Sequence, residues 1–174
     1  LADLPEGATV ATGSVRRRAL LRAVRPDLEF VELRGNIATR MSKLPDGGAL
    51  VMAVAALEIL GLTDRIAEVL PTDTFVPAPG QVCVAVECRA DDRSTAALLA
   101  AIDDPATRTV VSAERAFLAE LGSGCSLPVG AHAVGSVITG FLADPDTGLH
   151  LVRSAPLDAA AALARSMRQD LQAG

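Results

Sequence analysis

The sequence predicts an α/β fold, in which a parallel α/β domain is followed by a small α+β C-terminal domain. Up to about residue 62, short apolar runs alternate with segments of helical period, and glycine-containing turns separate them. The order βαβαβα is typical of a parallel sheet. After a stretch rich in proline and threonine at 70–80, the order changes, and strands follow one another directly before a final helix. That arrangement predicts a separate α+β unit.

Turn and capping residues support the elements of the first part. Ser14 is suited to the N-cap of a helix that Pro26 ends, and Gly61 closes a later helix. Arg34, Gly35 and Asn36 form a turn between a strand and a helix. We predict strands at 8–12, 28–33 and 49–53, and helices at 15–24, 37–44 and 54–60.

The later elements follow from similar signals. Asp104 precedes Pro105, and proline is favoured in the first turn of a helix. Residues 81–88 alternate as a strand does, and we expect this strand to pair in an unusual way, to lie at an exposed edge or to be covered by another chain, which favours self-association or a partner. We predict helices at 94–102, 105–121 and 157–171, and strands at 131–134, 137–143 and 149–154. The predicted domains are 1–75, the α/β lobe with an arginine-lined anion cleft, and 93–174, the α+β domain, joined by a crossover at 76–92.

The composition excludes several classes of protein. Half of the 174 residues are apolar, so the chain can bury a core. The longest apolar stretch, at 49–62, is too short to span a bilayer and contains Glu58. Three widely spaced cysteines do not form a disulfide framework, which favours the cytoplasm. Tyrosine and tryptophan are absent, which argues against a base-stacking surface. We therefore expect neither a membrane nor a nucleic acid as partner.

Arginines concentrate in two turns of the first part, at 12–17 and 33–40. The planar guanidinium matches carboxylate or phosphate groups. Arg16 and Arg17 fall in the first turn of a helix, where each cation opposes the helix dipole at a cost of about 0.3–1 kcal/mol that a bound anion offsets. Both turns follow strands of a parallel sheet, so they are expected to face one crevice. Spacing alone leaves open whether this surface binds an anion or is merely solvated.

The cysteines and histidines give weaker signals. Cys125 lies between glycines at 122–130, and its thiol is either a nucleophile or a small buried apolar group. Cys83 and Cys88 are an odd number of residues apart on the predicted strand, so they face opposite sides. His132 and His150 have no ligand partner at a metal-binding spacing, so we predict no metal site.

From about residue 4 to residue 134, the chain resembles the hydroxymethylbilane synthase family, also called porphobilinogen deaminase. The shared motifs, in order, are Thr-x-Ser-x-Arg-Arg at 12–17, Leu-Arg-Gly-Asn-x-x-Thr-Arg at 33–40, Leu-Gly-Leu at 60–62, Pro-Ala-Pro-Gly-Gln at 77–81, Glu-Cys-Arg-Ala-Asp-Asp at 87–92, Ala-Glu-Arg at 113–115 and Gly-Cys-x-Leu-Pro-Val-Gly at 124–130. The resemblance implies a lobe like those of periplasmic binding proteins followed by the family's C-terminal domain.

The resemblance also implies a function. Members of the family are transferases of tetrapyrrole (haem) biosynthesis, which join four porphobilinogens into hydroxymethylbilane on a cysteine-linked dipyrromethane. Cys125 matches the cysteine that holds this cofactor by a thioether. The matching cofactor-binding positions are Thr12, Ser14, Arg16, Arg17, Arg34, Arg40 and Gln81.

Some family features are not matched. The family's catalytic aspartate belongs to its N-terminal lobe, and the resemblance begins at the second domain, so we identify no catalytic residue here. Ile59 stands at the usual place of an arginine ligand, and further departures are Gly13, Pro79, Val82 and Ser123. We expect the chain alone to be inactive and to need an N-terminal lobe. The alternative is a non-catalytic relative or fragment that binds an acidic ligand or a partner protein.

Overall fold

The fold, taken from a computed structural model, is described for residues 1–122 and 127–173 and contains two three-stranded sheets. One is parallel and belongs to an N-terminal α/β unit, and the other is antiparallel and carries two long helices. The elements in chain order are β1 (Thr9–Ala11), α1 (Val15–Val24), β2 (Glu29–Val31), α2 (Ile37–Met41), β3 (Ala49–Leu50), α3 (Val54–Ile59), α4 (Arg93–Leu99), α5 (Pro105–Leu121), β4 (Val129–Val134), β5 (Val137–Ala143), β6 (His150–Pro156) and α6 (Ala160–Ala173).

The parallel sheet has the strand order β2-β1-β3, with Val10 of β1 opposite Phe30 of β2 and Ala49 of β3. Its three strands are short, and their carboxyl ends lie side by side. Val10 is buried with Leu21 of α1 and Leu28, which anchors the first helix on the sheet. The turns that follow the three strands are therefore brought together at one edge.

The antiparallel sheet has the order β4-β5-β6 and packs against α5 and α6. Phe117 of α5, Ile138 of β5 and Met167 of α6 are fully buried in its core. Gly140 is required there, because a Cβ atom at this position would lie 2.5 Å from the Phe117 ring. This sheet and its helices form the more extensively packed part of the chain.

A segment at 75–81 contacts both sheets. Val76 is buried with Leu20 of α1 and Phe141 of β5. The amide of Ala131 donates a hydrogen bond to the carbonyl of Pro77 at 3.0 Å, so the segment runs beside β4. Gly130 allows this approach, since a Cβ atom there would lie 2.8 Å from the Val76 carbonyl oxygen.

The structure confirms the predicted fold class, while the predicted strand at 81–88 is wrong. These residues contain no strand and are exposed. Val82 has a φ of +80°, which is incompatible with extended backbone, and the amide of Cys83 donates to the carbonyl of Gly80 in a tight turn. The alternating valines are thus solvent-facing residues of an irregular segment. The domain limits at 75 and 93 stay predictions.

Element bounds differ slightly elsewhere. The second helix ends at Met41 rather than near residue 44, and β3 covers only two of the five predicted residues. The final helix extends to Ala173 and is preceded by a 3₁₀ turn at Leu157–Ala159. In the described part of the chain, no helix combines the length and apolarity that crossing a membrane requires.

Candidate anion-binding site

A cleft of about 350 Å³ lies at the carboxyl ends of the parallel strands. The turns after β1 and β2 and the end of β3 supply its walls, as the strand order requires. Its lining residues are Thr12, Gly13, Ser14, Arg17, Glu32, Leu33, Arg34, Arg40, Leu50 and Val51. The structure therefore brings together five of the residues predicted from the sequence: Thr12, Ser14, Arg17, Arg34 and Arg40.

The first wall is the start of α1. The Ser14 hydroxyl accepts a hydrogen bond from the Arg17 amide at 3.3 Å and caps the helix. The Ser14 amide in turn donates to the hydroxyl oxygen of Thr12 at 3.2 Å. Thr12 is buried, so it orders the turn rather than presenting an exposed hydroxyl. The helix N-terminus that results is favourable for an anion.

Two guanidiniums approach each other in this cleft. Arg17 donates to the carbonyl oxygen of Val51 at 2.8 Å, and Arg40 donates to that of Gly35 at 2.8 Å. Burial lowers the pKa of Arg17, and the positive charge of Arg40 lowers it further. Among the described residues, neither guanidinium is ion-paired with a carboxylate. The cleft therefore holds positive charge that is not neutralised from within.

Arg34 occupies the outer rim. Its side chain is 85% exposed and pairs with Glu32 at 2.8 Å. Glu32 also lines the cleft and was not predicted from the sequence. The signal was available, because residues two apart on an extended segment face the same side. Arg34 is thus a long, exposed side chain, and a ligand carboxylate can replace Glu32 as its ion-pair partner.

Arg16 points to the other side of α1. It is buried and donates to the carbonyl oxygen of Val76 at 2.5 Å and to Oε1 of Gln81 at 3.3 Å. Burial lowers its pKa to about 10, and the neighbouring charge of Arg17 contributes. Arg16, Arg17 and Gln81 line a second cavity of about 660 Å³. The four arginines therefore do not share one cleft, and Arg17 lies between the two cavities.

Glu114 was part of a shared motif in the sequence, but no role was predicted for it. This buried residue of α5 accepts hydrogen bonds from the Gly80 amide at 2.7 Å and the Ala133 amide at 2.8 Å. His132 Nδ1 lies 3.6 Å from its Oε1 atom. A signal existed, since Glu114 falls in the apolar stripe that Phe117 and Leu121 continue along the helix.

The remaining candidates lie elsewhere. Cys125 is outside the described residues, which end at 122 and resume at 127. Cys83 and Cys88 are exposed. Ile59 ends α3, is 85% exposed and does not line the cleft. Within the described ranges, no three histidine, cysteine, aspartate or glutamate side chains cluster as metal ligands.

Comparison with known proteins identifies the family to which this chain belongs. Residues 1–97 match the family model described as "Porphobilinogen deaminase, dipyromethane cofactor binding domain", and residues 108–172 match the porphobilinogen deaminase C-terminal domain. The first match alone covers more than half of the chain. The chain belongs to the porphobilinogen deaminase family, and its first part is the family's dipyrromethane cofactor-binding domain.

Individual porphobilinogen deaminases also match most of this chain. The chain is 52% identical over 136 residues to the porphobilinogen deaminase of Roseiflexus castenholzii, which covers 77% of this chain and 45% of that protein. It is 47% identical over 153 residues to that of Brevibacillus brevis, covering 84% and 50%. It is 53% identical over 140 residues to that of Acidothermus cellulolyticus, covering 77% and 42%. The chain thus spans about half the length of the curated relatives it matches.

Proposed function

We propose that this chain supplies the cofactor-binding and C-terminal parts of a hydroxymethylbilane synthase, which joins four porphobilinogens into hydroxymethylbilane. One observation carries the proposal: Arg17, Arg34 and Arg40 line one cleft, and two of them have no carboxylate partner in the described chain. A molecule with several carboxylates is the ligand that such a site favours. Porphobilinogen and the pyrrole chains made from it carry acetate and propionate groups, which meet this requirement.

Dipyrromethane fits the residues that are present. Arg17 and Arg40 repel each other in the absence of a counter-charge, and Ser14 opens a helix N-terminus beside them. Carboxylates of a bound pyrrole would relieve that repulsion and accept these donors. We assign the cofactor-binding role to Ser14, Arg17, Arg34 and Arg40, with Thr12 ordering the turn that carries Ser14 and with Arg16 and Gln81 in the adjoining cavity. When bound, the dipyrromethane provides the pyrrole carbon to which porphobilinogen units are joined with loss of ammonia.

Cys125 is the proposed point of covalent attachment. It follows α5 by four residues along the chain, and its match to the family's cysteine supports the assignment. A thiolate is the nucleophilic form of cysteine, and nearby cations stabilise it. The thioether would keep the polyanionic product docked on the arginines while further units are added.

The chain's own contribution is binding and positioning. Arg17 and Arg40 hold carboxylates from fixed positions, because each also donates to a backbone carbonyl. Arg34 exchanges Glu32 for a ligand carboxylate at the exposed rim. We propose that turnover requires the family's N-terminal lobe as a partner, and that the chain alone does not form hydroxymethylbilane. A cytoplasmic location stays a prediction.

A second candidate is a non-catalytic relative that binds an acidic ligand or a partner protein. Val82, Val84 and Val86 favour it, because all three are exposed along one irregular segment. Such a surface is suited to a partner, including a second copy of the chain. The two candidates differ in whether Cys125 becomes modified and whether porphobilinogen is consumed.

Binding and turnover should be measured separately. Isothermal titration of the full chain with porphobilinogen, and with citrate as a simple polycarboxylate, tests the cleft. We expect Arg17→Gln and Arg40→Gln to weaken both ligands, and Arg165→Gln to have no effect, since Arg165 pairs with Glu120 away from the cleft. Equal affinities for all four proteins would contradict the proposed site. Hydroxymethylbilane formation by the chain alone would contradict the proposed need for the lobe.

A further inference from the structure

Glu114 is a buried charged residue that does not line the cleft, so its burial needs another explanation. Its residue is 5% exposed, and both carboxylate oxygens accept backbone hydrogen bonds, from Gly80 and from Ala133. A carboxylate that accepts two amide donors is held firmly and offsets part of its desolvation cost. One of these donors lies on β4, next to the helix that carries Glu114. The other belongs to the segment at 75–81, which leads to the arginines.

Gly80 occupies a defined position in that segment. The amide of Gln81 donates to the carbonyl of Ala78 at 2.9 Å, and Gly80 has a φ of +71°. Proline at the second and glycine at the third position, with positive φ at the glycine, form the pattern of a type II turn. The Gly80 amide points out of this turn to Glu114. The bond at 2.7 Å therefore fixes the turn against α5.

The turn places Gln81 against Arg16. Oε1 of Gln81 accepts from Arg16 Nη2 at 3.3 Å and from the Ala78 amide at 3.3 Å. The backbone amide of Ala78 thus orients the Gln81 side chain, and Gln81 in turn orients the Arg16 guanidinium. Arg16 is also bound to the Val76 carbonyl in the same segment. Every described hydrogen-bond partner of the Arg16 guanidinium belongs to the segment that Glu114 anchors.

We propose that Glu114 is a positioning residue for Arg16. It anchors the Gly80 turn to α5 and, through Gln81, holds the guanidinium of Arg16 beside Arg17. The geometry links the cofactor-binding unit to α5, the helix that Cys125 follows along the chain. An apolar residue at position 114 would fill the same stripe of α5 without making this link. Two measurements test this proposal. The measurement of ligand affinity rests on the proposed function, whereas the measurement of Arg16 side-chain motion does not.

The first measurement is motional. Nitrogen-15 relaxation of arginine side chains reports the rotation of the Arg16 guanidinium in the full chain without ligand. We expect Glu114→Gln to accelerate this rotation severalfold, because the amide group of glutamine cannot accept from both backbone amides. Gln81→Ala removes the contact through which Glu114 is proposed to act and should have the same effect without altering a buried group. If Glu114→Gln fails to fold, unchanged Arg16 motion in Gln81→Ala still overturns the proposal. Unchanged Arg16 motion in a folded variant would overturn the proposal.

The second measurement is the affinity for citrate and porphobilinogen. We expect Glu114→Gln to weaken binding about tenfold, the effect of losing one charge-assisted hydrogen bond. In a chain that already carries Gln81→Ala, adding Glu114→Gln should weaken ligand binding no further. Glu120→Gln on the same helix and Ile138→Val in the adjoining core control for charge and for stability. Additive losses, or an equal loss with Ile138→Val, would overturn the proposal. If the wild-type chain binds neither ligand, the proposed function fails and the motion of Arg16 alone decides.

Discussion

Arg17 and Arg40 line the same cleft from two different helices, and the pKa of Arg17 is lowered first by burial and then by the positive charge of Arg40. Each guanidinium is fixed by a backbone carbonyl, so neither can turn away without losing a hydrogen bond. The repulsion is therefore built into the ligand-free fold. A polycarboxylate that binds between them removes it, which couples ligand binding to the stability of the parallel sheet.

Replacing Arg40 should change the stability of the ligand-free chain and its affinity for citrate in opposite directions. We expect Arg40→Gln to raise the unfolding midpoint of the ligand-free chain slightly, because one repulsive interaction is lost. The same change should weaken citrate about tenfold, since a charge-assisted contact is replaced by a neutral one. Scanning calorimetry with and without citrate checks both effects, and Arg165→Gln is the control. A lower midpoint combined with unchanged affinity would contradict the role of Arg40.

Gly13 should accept a serine side chain. A Cβ atom there would lie 3.5 Å from the Leu33 carbonyl oxygen, an ordinary contact, and the residue is not in the left-handed region. We expect Gly13→Ser to change the free energy of unfolding by less than about 0.5 kcal/mol. Its hydroxyl adds a donor to the cleft, so citrate affinity should be kept or increased.

The matched comparison is Gly48→Ala. A Cβ atom at position 48 would clash with the backbone carbonyl of Thr9 in β1, which cannot move without disturbing the sheet. We expect this variant to be clearly destabilised in chemical denaturation. If Gly13→Ser is destabilised as strongly as Gly48→Ala, the described path of the turn after β1 is wrong.

The N-cap of α5 should make stability depend on pH. Asp104 accepts from the Thr107 amide at 2.6 Å, and this bond lowers the pKa of Asp104 below its ordinary value of 3.8. The contribution of the charged cap is therefore complete above about pH 4 and is lost as the pH falls through the lowered pKa. We expect Asp104→Ala to lower the unfolding midpoint at pH 7, and the difference from wild type to shrink between pH 4 and pH 3.

Asp104→Asn is the control for this effect, because asparagine keeps a capping oxygen without a titrating charge. Calorimetry from pH 7 to pH 3 on the three proteins gives the comparison. A difference between wild type and Asp104→Ala that stays constant across this range would contradict a cap that acts through the ionised carboxylate.

The sequence predicted the helices and most strands because their signals are local. Ser14 caps the helix that it was expected to cap, and Pro105 begins its helix as predicted, with Asp104 as the cap. The turns after β1 and β2 follow from the parallel order of the sheet. Alternation at 81–88 was misleading, since alternation shows that a strand could form and does not supply a neighbouring edge. The described structure gives Val82 a positive φ instead.

Long-range contacts explain what the sequence did not show in the site. Arg16 and Arg17 are adjacent in sequence, yet they point to different cavities, because α1 is covered on one side by the segment at 75–81. No local pattern predicts that contact across 60 residues. Glu114 and Gly80 meet for the same reason, through the packing of α5 on β4.

Intact mass spectrometry of the purified chain after incubation with hydroxymethylbilane measures whether a pyrrole chain becomes attached to Cys125. We expect an added mass equal to hydroxymethylbilane less one water, because the thiol takes the place of the lost hydroxyl group and the chain alone cannot shorten the attached tetrapyrrole. The adduct should be located at Cys125 by peptide mapping and be absent from Cys125→Ser. A smaller modified fraction is expected in Arg17→Gln, because docking on the cleft precedes attachment. An unmodified wild-type chain, or an equal adduct on Cys83 or Cys88 in the Cys125→Ser variant, would contradict the assignment of Cys125 as the attachment point.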